Sequence, residues 1–201
     1  MDDISESWFT NVVARPRTIA DERLLAAAGR AIGRRGPGFT IADVAAEAGV
    51  AVGSVARRFG SKSGLLQALT RQATADVERR MRAAAEGLPP PAGLRAALLT
   101  WFADVADPAE AANHLAQLGV DLVDPALRAL LAGHFAATEQ VVLDLVRRVD
   151  LPRAPVPERA ARVLVGLLLG VSLDWSVRPR AALADRLEQD VDAVLTAWKG
   201  S

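Results

Sequence analysis

The first periodic pattern of apolar positions lies in residues 21–35, where Leu24, Leu25, Ala28 and Ile32 recur at helical spacing before Gly36, Pro37 and Gly38 stop the helix. The stretch FTIADVAAEAGV follows. Thr40 is placed to cap a short helix that turns Ile41, Val44, Ala45 and Ala48 inward, and Gly49 suits a left-handed turn after it. A second short helix over about residues 52–58 precedes Phe59 and Gly60, and Ser61 opens a long helix through Leu65, Leu66, Leu69 and Val77 to about residue 85. The run GLPPPAG then breaks the chain, and Pro91 suits the start of a helix carrying Leu94, Leu98, Trp101, Phe102 and Val105. Pro108 begins another through Leu115, Leu118 and Leu122, and the pair Asp124 and Pro125 opens a long one to about residue 149. After DLPRAPVPE come two more, about residues 158–176 and 180–198, with Pro179 between them. No strand pattern interrupts this series. The prediction is an all-α fold of about nine helices: a small N-terminal three-helix unit and a larger C-terminal bundle.

At 201 residues, 51% of them apolar, the chain is long enough to bury a real core. It has no cysteine, which removes disulfides, thiolate metal sites and cysteine nucleophiles and fits a reducing compartment. The segment MDDISESWFTNVVARPR lacks the basic start and apolar run of a secretory signal. The longest apolar run, residues 163–171, is about half of a bilayer span. A soluble cytoplasmic protein without a membrane partner is therefore expected. Residues 1–17 show no usable periodicity, and Pro16 favours an extended backbone, so they read as a flexible N-terminal arm.

Net charge is zero over the whole chain, which by itself argues against a nucleic-acid partner. Its distribution reverses that inference. Residues 15–62 hold nine Lys or Arg against four Asp or Glu, whereas the remainder holds fifteen against twenty. The only lysines are Lys62 and Lys199; together with the abundance of alanine this points to a GC-rich coding background, and it lowers the weight of any single arginine.

A short helix, a turn at Gly49 and a second short helix have the geometry in which the second helix enters a DNA major groove. Val55 and Phe59, four apart, anchor that helix and leave Val52, Ser54, Arg57 and Arg58 on its outer side, while Gly53 permits close approach of another backbone. Lys62 falls in the first turn of the next helix, where the macrodipole disfavours a cation unless a phosphate binds there. Double-stranded DNA is the partner these residues suggest.

The residues RLLAAAGRAIGRRG and FTIADVAAEAGVAVGSVARRFGSKSGLL resemble the N-terminal DNA-binding domain of TetR-family transcriptional regulators over about residues 23–66. The resemblance implies a helix-turn-helix domain at 18–66, with its motif at about 40–59, and a C-terminal ligand-binding and dimerisation domain at 67–201. It implies that Thr40 opens the motif and touches a phosphate, that Ser54, Arg58 and Lys62 hold phosphates, and that Val52, Gly53 and Arg57 face bases. It also implies a repressor that binds a palindromic operator as a homodimer and is released by a small-molecule effector. Two positions depart from the family pattern. Ala51 stands where Ser or Thr usually caps the recognition helix, a loss of about 1 kcal/mol. Ala56 stands where a tyrosine usually binds phosphate, and Arg57 with Arg58 is a candidate electrostatic replacement. Weak or lost DNA binding, leaving a helical dimeric interaction module, is the alternative.

The segment RVLVGLLLGVSLDW is apolar on more than one side, and Gly166 and Gly170 make a row along which two helices can approach closely. With the stripe Leu183, Leu187, Val191, Val194 and Trp198 of the last helix, these residues, together with Leu164 and Leu167, are the candidate four-helix dimer interface. His134 and Thr138 stand in an apolar face of Leu127, Leu131, Val141 and Leu145. They are either a buried hydrogen-bonded pair or part of a ligand pocket, to which Trp101, Phe102, Asn113, His114 and Gln117 are the other candidates. An apolar or aromatic effector would suit such walls. Two histidines twenty residues apart, no paired-histidine metal motif, no phosphate loop and no nucleophile elbow argue against an enzyme. No catalytic, metal or cofactor site is expected.

Overall fold

The computed structural model describes residues 17–200, with side chains from residue 21 onward. Among these residues the helices are α1 (Arg17–Arg35), α2 (Ile41–Ala48), α3 (Val52–Phe59), α4 (Lys62–Ala85), α5 (Pro90–Thr100), α6 (Pro108–Asp121), α7 (Pro125–Val146), α8 (Pro157–Val177) and α9 (Leu183–Lys199). A single 3₁₀ turn, Gly36–Gly38, links α1 to α2. There is no strand among the described residues. The N-terminal arm predicted for residues 1–17, with Trp8 and Phe9, lies outside the described residues except for Arg17, which begins α1.

Local chemistry explains most of the boundaries. Ser61 accepts from Gly64 N at 3.0 Å to open α4, Asp107 accepts from Ala109 N at 2.7 Å to open α6, and Asp124 accepts from Ala126 N and Leu127 N to open α7. Four boundaries differ clearly from the sequence expectation. The first helix begins at Arg17, four residues before the expected start. The fifth helix stops at Thr100, so Trp101 and Phe102 stand in a turn rather than on the helix. The seventh ends at Val146. The ninth starts at Leu183, because Trp175 Nε1 donates to Ala181 O at 2.7 Å and holds the preceding residues against α8 instead.

Two cores result. The N-terminal one joins Leu25, Ala28 and Ile32 of α1 to Phe39, Val44, Val55 and Leu65, and it takes in Leu127 from α7. The C-terminal one joins Val77 and Met81 of α4 to Leu94, Leu98, Val141, Leu164, Leu168 and Trp175. Thus α4 contributes to both cores. α6 packs on α1 and the 3₁₀ turn, where Asn113 Nδ2 donates to Gly33 O at 2.7 Å.

This packing corrects part of the candidate dimer interface. Leu164, Leu183, Leu187 and Val191 are buried in the chain's own core, and Leu167, Val194 and Trp198 pack partly against it. A 3.6-residue stripe shows that a helix face is buried, not which element covers it. Gly166 and Gly170 are exposed, and among the described residues no atom outside the helix stands within 4 Å of a Cβ built on either. An 18-residue stretch in each of α7 and α8 is apolar enough to cross a membrane, with mean hydropathy 1.3 and 1.6; in this fold Val141, Leu145, Leu164 and Leu168 pack into the C-terminal core.

Candidate functional site

The helix-turn-helix is built as its caps dictate. Thr40 Oγ1 accepts from Asp43 N at 3.2 Å, and the Asp43 carboxylate accepts from Thr40 N and Oγ1, both at 2.8 Å. These bonds from Thr40 hold Asp43 below the usual carboxylate range. Gly49 closes α2 in the left-handed conformation, φ 65°, and Val50 N donates to Ala45 O at 3.0 Å to complete the turn. Ala51 precedes α3 with no side-chain cap.

Within α3, Val55 is fully buried and Phe59 packs against the same core. The opposite side carries Val52, Gly53, Arg57 and Arg58, all exposed, with Ser54 half-buried beside them. Among the described residues nothing outside its own helix lies within 4 Å of a Cβ built on Gly53, and Arg57 has no ion-pair partner. A surface concavity of about 490 Å³ runs along this side, lined by Asp21, Arg23, Leu24, Val50, Ser54, Arg57 and Arg58.

Two expected phosphate ligands are engaged within the chain. Arg58 makes a two-pronged ion pair with Asp21 through Nε and Nη2. Lys62 donates from Nζ to Pro37 O and Phe39 O, each at 2.7 Å, and lies 4.1 Å from the centre of the Phe39 ring. Its position at a helix N-terminus is therefore balanced by two carbonyls and a ring face rather than requiring an external phosphate. Burial pushes the Lys62 amine down from its ordinary value. Lys62 is a pin between α4 and the 3₁₀ turn. Sequence inspection does not reveal this, nor the tie from Arg23 Nη2 to Ala48 O at 2.5 Å that fixes α1 against the end of α2.

Between the two cores lies a cavity of about 850 Å³ whose walls include Leu25, Leu69, Gln72, Trp101, His114 and His134. A second, of about 190 Å³, shares Leu69, His114 and His134 and adds Gln117, Leu118, Asp121 and Leu131. A third, of about 300 Å³, has Trp101, Phe102, Val105, His114 and Ser172 in its walls. Five of the seven candidate pocket residues thus line cavities. Asn113 does not: its side chain is spent on Gly33. Thr138 does not either, being fully buried with its hydroxyl donated to His134 O at 2.9 Å, so this position is a satisfied buried pair. Burial holds both His114 and His134 below the usual histidine range. Asp121, to which no sequence pattern points, is only 8% exposed, and burial raises its carboxyl.

A helical pair presenting an exposed basic helix, joined by one long helix to a larger helical bundle, is the arrangement of a helix-turn-helix DNA-binding regulator. The family model for "Bacterial regulatory proteins, tetR family" matches residues 24–69, and that for the MftR C-terminal domain matches residues 88–199, more than half of the chain. The chain belongs to the TetR family of transcriptional regulators, which are DNA-binding proteins and not enzymes. No curated protein matches it. Among solved structures, a transcriptional regulator from Rhodococcus sp. Rha1 is 21% identical with a TM-score of 0.70, over 90% of this chain and 99% of that one. A TetR-family regulator from Rhodococcus sp. is 27% identical with a TM-score of 0.68, over 88% and 98%. SmeT, the repressor of the Stenotrophomonas maltophilia multidrug efflux pump SmeDEF, is 22% identical with a TM-score of 0.67, over 89% of each chain. These likenesses show the shared fold.

Proposed function

We propose that this regulator is a repressor that binds a palindromic operator as a homodimer and is released when a small molecule occupies the cavities between its two units. The DNA-binding unit is residues 18–66 and the ligand-binding and dimerisation unit 67–201. The observation that carries the reading is the outer side of α3, which stands exposed and basic while its inner side is locked to the core by Val55. Val52, Gly53 and Arg57 face bases. Thr40, Ser54 and Arg58 meet phosphates, Arg58 by exchanging Asp21 for a phosphate oxygen.

Dimerisation is supported by an exposed row on α8. Val163, Gly166, Gly170, Leu173 and Val177 alternate by three and four residues, and Val163, Leu173 and Val177 are 44%, 53% and 73% exposed. That spacing is the seam of two packed helices, and the glycines let the partner's backbone come close. A two-fold dimer sets two α3 helices about one DNA turn, roughly 34 Å, apart. Release follows from the contacts of α6: an effector at His114 and Gln117 displaces the helix that also holds Gly33, and through it α1.

The test is selection from a random duplex library with the full chain, followed by fluorescence anisotropy. The expected result is a palindrome with half-sites spaced about 10 base pairs centre to centre. Absence of sequence-specific binding even at low salt overturns the reading and leaves an interaction module.

A further inference from the structure

The smaller cavity at the junction has an uneven hydrogen-bonding inventory. Thr70 and Thr74 donate their hydroxyl protons to Leu66 O and Thr70 O, at 3.0 and 2.8 Å. Thr74 Oγ1 also lies 3.1 Å from His134 Nδ1. With its own proton committed, Thr74 can only accept there. The network therefore assigns the ring proton of His134 to Nδ1 and leaves Nε2 as a bare acceptor.

The far end of the cavity adds more acceptors. Gln117 is 4% exposed and donates from Nε2 to Asp121 Oδ1 at 2.6 Å, which fixes the amide orientation and leaves Gln117 Oε1 without a hydrogen-bond partner. No cation stands within ion-pair distance of Asp121 among the described residues, and Lys62, whose charge acts on it from farther off, is held by Pro37 and Phe39. The remaining walls are largely apolar: Ile32, Leu66, Leu69, Leu118 and Leu131. A buried acceptor without a donor and a buried carboxylate without a counter-ion are both costly, and a ligand that brings donors and positive charge relieves both.

We infer that this pocket takes an apolar molecule bearing a protonated amine, its ammonium held by the Asp121 carboxylate and Gln117 Oε1 and its body lying among the surrounding leucines. This rests on reading the junction as the effector site. A carboxylate ligand would meet like charge and bare acceptors, and a neutral alcohol brings one donor and no charge. Around the wider cavity the arginine charges are paired, Arg30 and Arg34 with Glu47, Arg79 with Asp76, and Arg80 through Nη1 with Asp104, while Arg80 Nε is the one buried donor there left without a partner among the described residues.

Calorimetric titration of the full chain, without DNA, against 4-phenylbutylamine, 4-phenylbutanol and 4-phenylbutanoate tests the assignment, because the three share one apolar body. The amine should bind at least about tenfold more tightly than the alcohol, with the acid weakest. Asp121→Asn should reduce the amine to the level of the alcohol, and Gln117→Leu should weaken the amine without altering the charge. An acid or alcohol that binds as well as the amine, an amine that does not bind, or an amine preference that survives Asp121→Asn overturns the inference. Thermal melts by circular dichroism establish that each variant is folded, and if Asp121→Asn is not, the wild-type series and Gln117→Leu decide. Failure here with intact operator binding removes only the ligand assignment, whereas lost operator specificity removes the regulator reading and leaves the titration standing.

Discussion

At position 64 a side chain has no room: a Cβ built on Gly64 would overlap Phe59 O, the carbonyl at the end of the recognition helix. Gly64→Ala must push α3 away from α4, and it is expected to cost about 1–3 kcal/mol, read as a lowered thermal midpoint; a variant that melts with the wild type would show that the turn relaxes freely. The histidines carry a second residue-scale expectation. Because burial depresses His134 and His114 in the fold, the unfolded chain takes up protons first as pH falls through about 6.5. Their contribution to stability is thus present above that pH and is lost below it. The raised carboxyl of Asp121 works in the opposite sense, and Glu78 and Glu110 oppose the histidine shifts. His134→Gln, which keeps a donor for Thr74, should flatten the fall in urea midpoint between about pH 7.5 and pH 5.5; an unchanged slope would contradict the buried neutral ring. Residues whose partners are local, such as Thr40 and Gly49, were legible in the sequence because caps and turns are decided within a few positions. Lys62 and Arg58 were not, since their partners lie 25, 23 and 37 residues away.

At the scale of elements, periodicity located the helices closely, and proline and capping residues placed most starts. What it did not settle was the partner of each face. The α9 stripe closes the chain's own bundle through Leu183, Leu187 and Val191, whereas the row left open is on α8. These two faces respond differently to substitution. Leu187→Ala should destabilise the fold by about 2–5 kcal/mol through the cavity it leaves. Val163→Glu with Leu173→Glu, both exposed in the isolated chain, should instead convert dimer to monomer in sedimentation velocity while preserving helical content. A double variant that still sediments as the wild-type dimer would place the interface elsewhere.

Over the whole molecule, the two units are joined by more than the length of α4. Leu127 of α7 enters the N-terminal core, Asn113 of α6 bonds to α1, and His114 and His134 line cavities that also touch Leu25, Leu69 and Leu66. An occupant of these cavities therefore bears on the DNA-binding helices directly. Of the residues the sequence offers as pocket candidates, Trp101, Phe102, His114, Gln117 and His134 line these cavities; Asp121 was not among the candidates, because only the packing of α6 buries that carboxylate. The regional surplus of basic residues was the clearest global signal, and α3 displays its exposed share. In the proposed mode of binding this side of α3 grips DNA, with Arg57 and Arg58 taking the place of the tyrosine hydroxyl that Ala56 cannot supply. The most direct measurement is the salt dependence of operator affinity for the wild type and for Arg57→Ala with Arg58→Ala. The log-log slope of the double variant is expected to become shallower by about 1.8, because each subunit of the dimer then neutralises one phosphate fewer. An unchanged slope would contradict it.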